Sequence, residues 1–566
     1  MSPILRCTAL LASALLSVAA NAAEKPADLI VINGKVYTAD KDRHVAEAVA
    51  VRGNRIVRVG TNADVSRLRA RKTQVVDAHG HSVLPGFIDN HVHFLAGVEA
   101  SDGPQFAGAH TVKEAQDAIT AFLDRKPDVE WIVGGGAYVI LTKDDLDAVT
   151  RGKPAVLLAG DGHSVVANSK AMQIAGIDRN TPAPTGGEIV KDPVSGEPNG
   201  IFMETAQEVI ARAVPAKTTH DVEEMLGVGT LMAHKAGVTT ILNVARPAEL
   251  EAYQHARAEG KLHLRIHNAL WLTPVVDDGL RGLGFPSVFT FTGKDADDFD
   301  ALRRKYQADD LMTVDMVKIM LDGVIESHTA SMLGPYANDP GVGVANYSPA
   351  ELTRLISLMD GRGWKVMTHA LGDRAVRITL DAYEAAERNN AAFPGRRFKI
   401  EHIESIDPSD VDRFGKLNVV ASLQPGHAKA LNDPQRRGGL RWKNLGFERS
   451  AWGFPWKSIK DSGGVLAFGS DWPVADLNAG TAISIALNRH VYPPIPDQSL
   501  PMADIIDAYT RNGAYAIGAE NSLGSLEVGK LADIIVLSND IFQNFRPENF
   551  VVDHTIFDGK IAYTRQ

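Results

Sequence analysis

The chain has one cysteine, Cys7, in 566 residues. It lies near the N-terminus, so the rest of the chain has neither disulfides nor thiolate ligands, and any metal site there must use nitrogen and oxygen donors. Basic blocks are missing too. The 59 Lys and Arg and 69 Asp and Glu are interspersed, with a formal net charge of −10. That excludes the electrostatic footprint of a nucleic-acid binder and indicates a well-solvated surface. No Gly-rich phosphate loop follows the first strand-like run of the central region, and no fixed-period repeat or low-complexity tract occurs. Gly162-His163-Ser164 does not complete a G-x-S-x-G nucleophile elbow. One long apolar segment exists, within MSPILRCTALLASALLSVAANAAEK: Arg6, an apolar run to Ala20, and a small-residue exit at Ala20-Asn21-Ala22. It is shorter than the ~20 residues a membrane span needs. We read residues 1–22 as a bacterial-type secretory signal peptide cleaved before Ala23. The mature protein is then expected to be periplasmic or secreted, with no membrane attachment after cleavage.

The whole chain is ordinary for a soluble globular protein, with 45% hydrophobic and 23% charged residues, and long enough for one large domain and a smaller one. Both ends are rich in short strands with Gly turns. ADLIVINGKVYTAD reads as strand, Asn33-Gly34 turn, strand, and AEAVAVRGNRIVRVG repeats the form around Gly53-Asn54. GSLEVGKLADIIVLSND and VVDHTIFDGKIAYTRQ close the chain in the same style. The simplest arrangement pairs residues 27–84 with 516–566 in one small β-sandwich; two separate terminal modules are the alternative.

Residues 85–515 instead alternate strand-like apolar runs with amphipathic helical patterns. The runs are PGFIDNHVHF, GVTTILNVA, LHLRIHNALW, MVKIMLDG, WKVMTHALGD, FKIEHIES, NVVASLQPGH and GVLAFGSDWP. Eight buried strands separated by helices fit an α/β fold of the (β/α)8 TIM-barrel type, with a doubly wound open sheet as runner-up. Residues at about 102–217 exceed the eight-unit count. They read as an insertion after the first strand, lying over the mouth of the barrel.

In such a barrel, functional side chains gather at the C-terminal ends of the strands. His91 and His93 lie at i and i+2, the spacing that puts two imidazoles on one face of a strand. Lys318 interrupts the fourth apolar run, His369 and His402 lie in the fifth and sixth, and Asp471 ends the eighth. Each alone has a bland explanation: a core histidine, a snorkelling lysine, a turn aspartate. Six in order at one barrel end point to a metal centre.

HVH on the first strand, Lys on the fourth, His on the fifth and sixth and Asp on the eighth resemble the binuclear amidohydrolase superfamily. DGHSVVANSKAM (Asp161–Met172), VKIMLDG with the later Thr329-Ala330, HALGDRAV (His369–Val376) and SLQPGH (Ser422–His427) resemble its amidohydrolase-3 branch, which includes N-substituted formamide deformylase-like enzymes. The resemblance implies one or two divalent ions, zinc by default for a His-rich site without cysteine. It implies that His91 and His93 bind one ion with Asp471, that His369 and His402 bind the other, and that Lys318 bridges them as an N6-carboxylated lysine. A lysine ammonium has no lone pair to offer a cation, whereas its carbamate has two oxygens, and burial lowers the amine pKa and eases carboxylation. Asp471 is implied as general base and acid. His163, in the insertion, is implied as a contact to the substrate or the developing oxyanion. His328 stands where the branch usually carries Arg before the Thr-Ala pair. With Gln424, His427 and Trp472, it completes the expected substrate-binding set.

The implied activity is a metal-dependent hydrolase cleaving carbon–nitrogen bonds other than peptide bonds, on a linear or aryl amide. An ester or lactone hydrolase or a deaminase on the same site is the alternative, and a catalytically silent metal-binding periplasmic protein is the alternative from another class. The expected partners are a small-molecule substrate, no nucleic acid, and further copies of the chain in a homo-oligomer.

Overall fold

The eight apolar runs become eight parallel strands: Phe87–Val92, Val238–Ala245, Arg265–Trp271, Met312–Met320, Lys365–Ala370, Phe398–His402, Val420–Leu423 and Val465–Phe468. The computed structural model describes residues 24–566 apart from 107–108, 138, 161–162, 185–186, 216, 246, 273–290, 307–308, 392, 394 and 433–438. The segment read as a signal peptide lies outside the described residues. Among the described residues, no helix is long and apolar enough to cross a membrane.

The strands pair in chain order, first to eighth, each parallel to the next. Their sequences are near-continuously apolar because helices cover the outer face while the inner face fills the barrel; all eight residues of Val238–Ala245 are buried. Long helices such as Thr219–Lys235, Pro349–Gly361 and Asp373–Asn389 form the outer layer. The segment after the eighth strand closes the ring against the first. Asp471 N–H donates to His91 O at 2.7 Å, His93 N–H donates to Trp472 O at 2.9 Å, and Ser470 N–H donates to Asp89 Oδ1 at 2.9 Å.

The chain ends do form one β-sandwich. Ser82–Pro85 runs antiparallel to Ile534–Leu537 within a six-stranded sheet. That sheet shares a core of Leu29, Val31, Val49, Ile56, Val83, Ile534 and Ile556 with a four-stranded N-terminal sheet. The two Gly turns act differently. Gly53-Asn54 joins a true hairpin, with Val51 opposite Ile56. Asn33-Gly34 instead carries the chain from one sheet to the other. Leu29–Ile32 pairs with Ala48–Arg52 and Gln74–Asp77, whereas Lys35–Tyr37 pairs with Ser82–Pro85. The sandwich is pinned to the N-terminal rim of the barrel by buried Arg265, whose guanidinium donates to Asp533 at 2.7 and 2.9 Å and to Asp558 at 2.9 Å.

Between the first and second barrel strands, five further strands (Ile132–Ala137, Ala155–Ala159, Ser164–Ala167, Gly187–Lys191 and Pro198–Glu204) make a separate mixed sheet. Its faces bury their own apolar clusters, around Ile119, Phe122 and Leu157 and around Met172, Phe202 and Ile210.

Candidate metal centre

His91 lies in the first barrel strand, one residue before its end at Val92, and His93 sits just beyond it, as the residue capping helix Phe94–Asp102. Lys318 lies inside the fourth strand, His369 in the fifth, His402 closes the sixth, and Asp471 follows the eighth. All six converge on one end of the barrel. His91 Nε2 and His93 Nε2 lie 3.3 and 3.4 Å from Asp471 Oδ1. Lys318 Nζ lies 3.2 Å from His91 Nε2, and His402 Nδ1 is 3.9 Å from Asp471 Oδ2. The His369 and His402 rings are 4.5 Å apart, and the His91 and His402 rings 5.1 Å. Donor atoms of His91, His402 and Asp471 all fall within 4.8 Å of one another.

Local backbone geometry aims these groups. His402 has φ 75° and Asp471 φ 56°, both in the left-handed region that non-Gly residues rarely adopt. The turn at His402 interrupts the alternation of the sixth strand, so that Glu401 and His402 both reach the cluster from adjacent positions.

The electrostatics favour a cation. Burial holds the imidazoles of His91 and His369 far below the usual histidine range, and the charge of Lys318 adds to the effect; for His402, burial is followed by the neighbouring His369. The rings are therefore neutral and carry lone pairs. His91 Nδ1 faces Glu401 Oε2 at 2.7 Å, an acceptor, which leaves the lone pair on Nε2 pointing at Lys318 and Asp471. Asp471 is buried and its carboxyl is pushed up to about 6, with burial the main cause; among the described residues its Oδ1 has no hydrogen-bond partner. Burial likewise pulls the Lys318 amine down to about 8, which favours the uncharged form that reacts with carbon dioxide. Neutral imidazoles, an unsatisfied buried carboxylate oxygen and a softened lysine fit a divalent metal centre.

Several supporting residues were not singled out from the sequence. Glu401, wholly buried, also has Lys399 Nζ at 3.3 Å, and Lys399 donates to Asn90 O at 2.6 Å. A signal was present: Lys and Glu two apart inside an apolar barrel strand, FKIEH, put opposite charges on one buried face. Asp322 accepts backbone N–H groups of Ser331, Leu371 and Gly372 at 2.9, 3.0 and 2.9 Å, knitting three loop segments beneath His369. Trp271, at the end of the third strand, stacks on His93 with ring centroids 5.9 Å apart.

The residues expected near substrate occupy different depths. His163 reaches in from the inserted sheet, its ring 5.7 Å from that of His369. His427 lies parallel to His402 at 6.0 Å, with Nε2 3.9 Å from Asp471 Oδ2 and Nδ1 3.4 Å from Glu404 Oε1. Gln424 turns inward, wholly buried, with Nε2 3.5 Å from Glu401 Oε2. Trp472 packs edge-on to Phe94, over Gly97, where any Cβ would overlap its ring. His328 lies farther out, at φ 61°, bonded through Nε2 to Asn338 Oδ1 at 3.0 Å.

Residues 74–563 match the profile of the amidohydrolase family Amidohydro_3. The chain is 30% identical over 563 residues to Protein LONG AFTER FAR-RED 3 of Arabidopsis thaliana, covering 95% of this chain and 92% of that protein. To N-substituted formamide deformylase of Arthrobacter pascens it is 28% identical over 568 residues, covering 95% and 98%. A solved structure of an uncharacterized metal-dependent hydrolase from Pyrococcus furiosus superposes with a TM-score of 0.70 at 22% identity, over 91% of this chain and 100% of that one, a likeness of fold.

Proposed function

The chain belongs to the amidohydrolase family, and on that premise we propose that it is an exported metal-dependent amidohydrolase cleaving the C–N bond of a linear or aryl amide. The observation that carries the reading is Asp471 Oδ1, a buried carboxylate oxygen without a hydrogen-bond partner among the described residues, 3.3 and 3.4 Å from the Nε2 atoms of His91 and His93. In this reading His91, His93 and Asp471 would hold one divalent ion and His369 and His402 a second, with Lys318, if N6-carboxylated, available as a shared ligand, and zinc is the first metal to test. When bound, the ions lower the pKa of water toward ~7 and polarise the scissile carbonyl.

The chain's own groups do the rest. Asp471 takes the proton of the attacking water and passes it to the leaving nitrogen. Glu401 holds His91 by Nδ1 so that Nε2 faces the ions. His163 and His427 are the imidazoles we place against the substrate, Gln424 and Trp472 buttress the floor, and His328 sits at the rim. The likeness to a formamide deformylase makes N-substituted formamides the first class to assay. Esters and lactones use the same groups and belong on the same panel.

The test is metal content by plasma mass spectrometry with turnover on aryl amides, formamides and esters. We expect about two ions per chain in the wild type, as in two-metal sites. Lys318→Ala should lose metal, and Asp471→Asn should keep at least one ion while losing turnover. One ion together with Lys318-independent activity overturns the bridged centre; no metal and no turnover overturns the hydrolase.

A further inference from the structure

One carboxylate of the inserted sheet reaches both His163 and the loop after the fourth barrel strand. Glu204 ends the strand Pro198–Glu204 at φ 49°, again in the left-handed region. Its two oxygens lie 3.2 and 3.1 Å from His163 Nδ1, and its backbone N–H donates to His163 O at 3.0 Å. On the other side Glu204 Oε1 accepts from Thr329 Oγ1 at 3.2 Å, and Thr329 Oγ1 accepts from Val324 N–H at 2.9 Å. Gly323 leaves room for this contact: a Cβ there would come within 3.0 Å of Glu204 Oε1 and overlap Thr329.

We propose that Glu204 is the positioning residue for His163, holding the imidazole that the insertion presents to the metal-ligand cluster and tying it to the loop after the fourth barrel strand. A carboxylate only accepts, so the ring nitrogen beside it must donate. Nδ1 therefore carries a proton, and whenever the ring is neutral its lone pair is on Nε2. Two contacts on one carboxylate fix the ring plane as well as the tautomer. Because Thr329 belongs to the barrel and His163 to the insertion, the same carboxylate sets the distance between the two parts at the site. The inference rests on the proposed role of His163 against the substrate.

The test uses the full chain with 4-nitroformanilide as probe. Glu204→Ala should lower kcat on the order of tenfold, the scale of one lost charge-assisted hydrogen bond, with KM and metal content held. Glu204→Gln retains an acceptor for Nδ1 and should lie closer to wild type than Glu204→Ala does. The double variant Glu204→Ala/His163→Ala should be no slower than His163→Ala alone, because Glu204 acts through His163. Independently of turnover, the nitrogen resonances of ¹⁵N-histidine-labelled protein should report a protonated Nδ1 at His163 in the wild type and a mixture of tautomers in Glu204→Ala. Losses that multiply in the double variant, or His163 resonances that Glu204→Ala leaves unchanged, overturn the assignment. If the wild type turns over neither the probe nor any amide on the panel, the hydrolase reading fails, and the resonances still decide the role of Glu204.

Discussion

Replacing Glu401 by Gln tests how the first metal ligand is held. Three donors converge on that buried carboxylate: His91 Nδ1 at 2.7 Å and Gln424 Nε2 at 3.5 Å on Oε2, and Lys399 Nζ at 3.3 Å on Oε1. A carboxylate accepts at Oε2 and sets its second oxygen against the Lys399 charge; an amide has one acceptor oxygen and an NH2 that can only donate. If the Gln oxygen turns to His91, the NH2 faces the Lys399 ammonium. If it turns to Lys399, the NH2 faces His91 Nδ1 and drives the imidazole to the tautomer with its proton on Nε2, the nitrogen aimed at Asp471. Either way one charge-assisted bond worth ~1.5–3 kcal/mol is lost. Burial already lowers the pKa of Lys399 against the pull of Glu401, and losing that partner lowers it further. The expected outcome is metal affinity weaker by about ten- to a hundredfold, or ~1.4–2.7 kcal/mol. Competition with a chromogenic chelator at fixed pH reads it, alongside urea unfolding of the metal-stripped proteins. Wild-type affinity in the variant would refute the claim that Glu401 sets the His91 tautomer.

Three further variants test the burial and packing around the centre and, as a control, on an outer helix. The Asp322 carboxyl is pushed from 3.8 up to about 7 by burial, which outweighs its three backbone N–H donors. A raised folded value means that its contribution to stability is fully present below about pH 4 and is lost as pH rises through about 7. Relative to Asp322→Asn, the metal-free wild type should therefore lose stability across that window in urea titrations; a pH-independent difference counts against it. Gly97→Ala should destabilise by ~1–3 kcal/mol, because its Cβ would overlap Trp472, and should slow turnover through the adjoining Asp471. Gly227→Ala, on an outer helix with nothing within 4 Å of the new Cβ, should instead stabilise by ~0.4–1 kcal/mol. Equal unfolding shifts in the two variants would contradict this packing account.

The sequence by itself determined the elements and the chemistry of their ends. Near-continuous apolar runs specify buried parallel strands because both faces of such a strand are covered. Strand periodicity suggested a shared face for His91 and His93, but His93 lies past the strand end and reaches Asp471 from the start of the following helix. Other features depended on contacts between distant segments. Asn33-Gly34 carries the same local signal as a hairpin turn, and only the partners available to each flanking strand made it a crossing between sheets. The closure that brings Asp471 N–H to 2.7 Å from His91 O joins residues 380 positions apart, beyond any local pattern. The left-handed backbone at His402, Asp471 and Glu204 is likewise imposed from outside, since each residue locally prefers φ below zero. The roles of Glu401 and Lys399 came last: a buried charge is tolerable only when its partner is in place, and that partner is fixed by the ring of eight strands rather than by the strand that carries it.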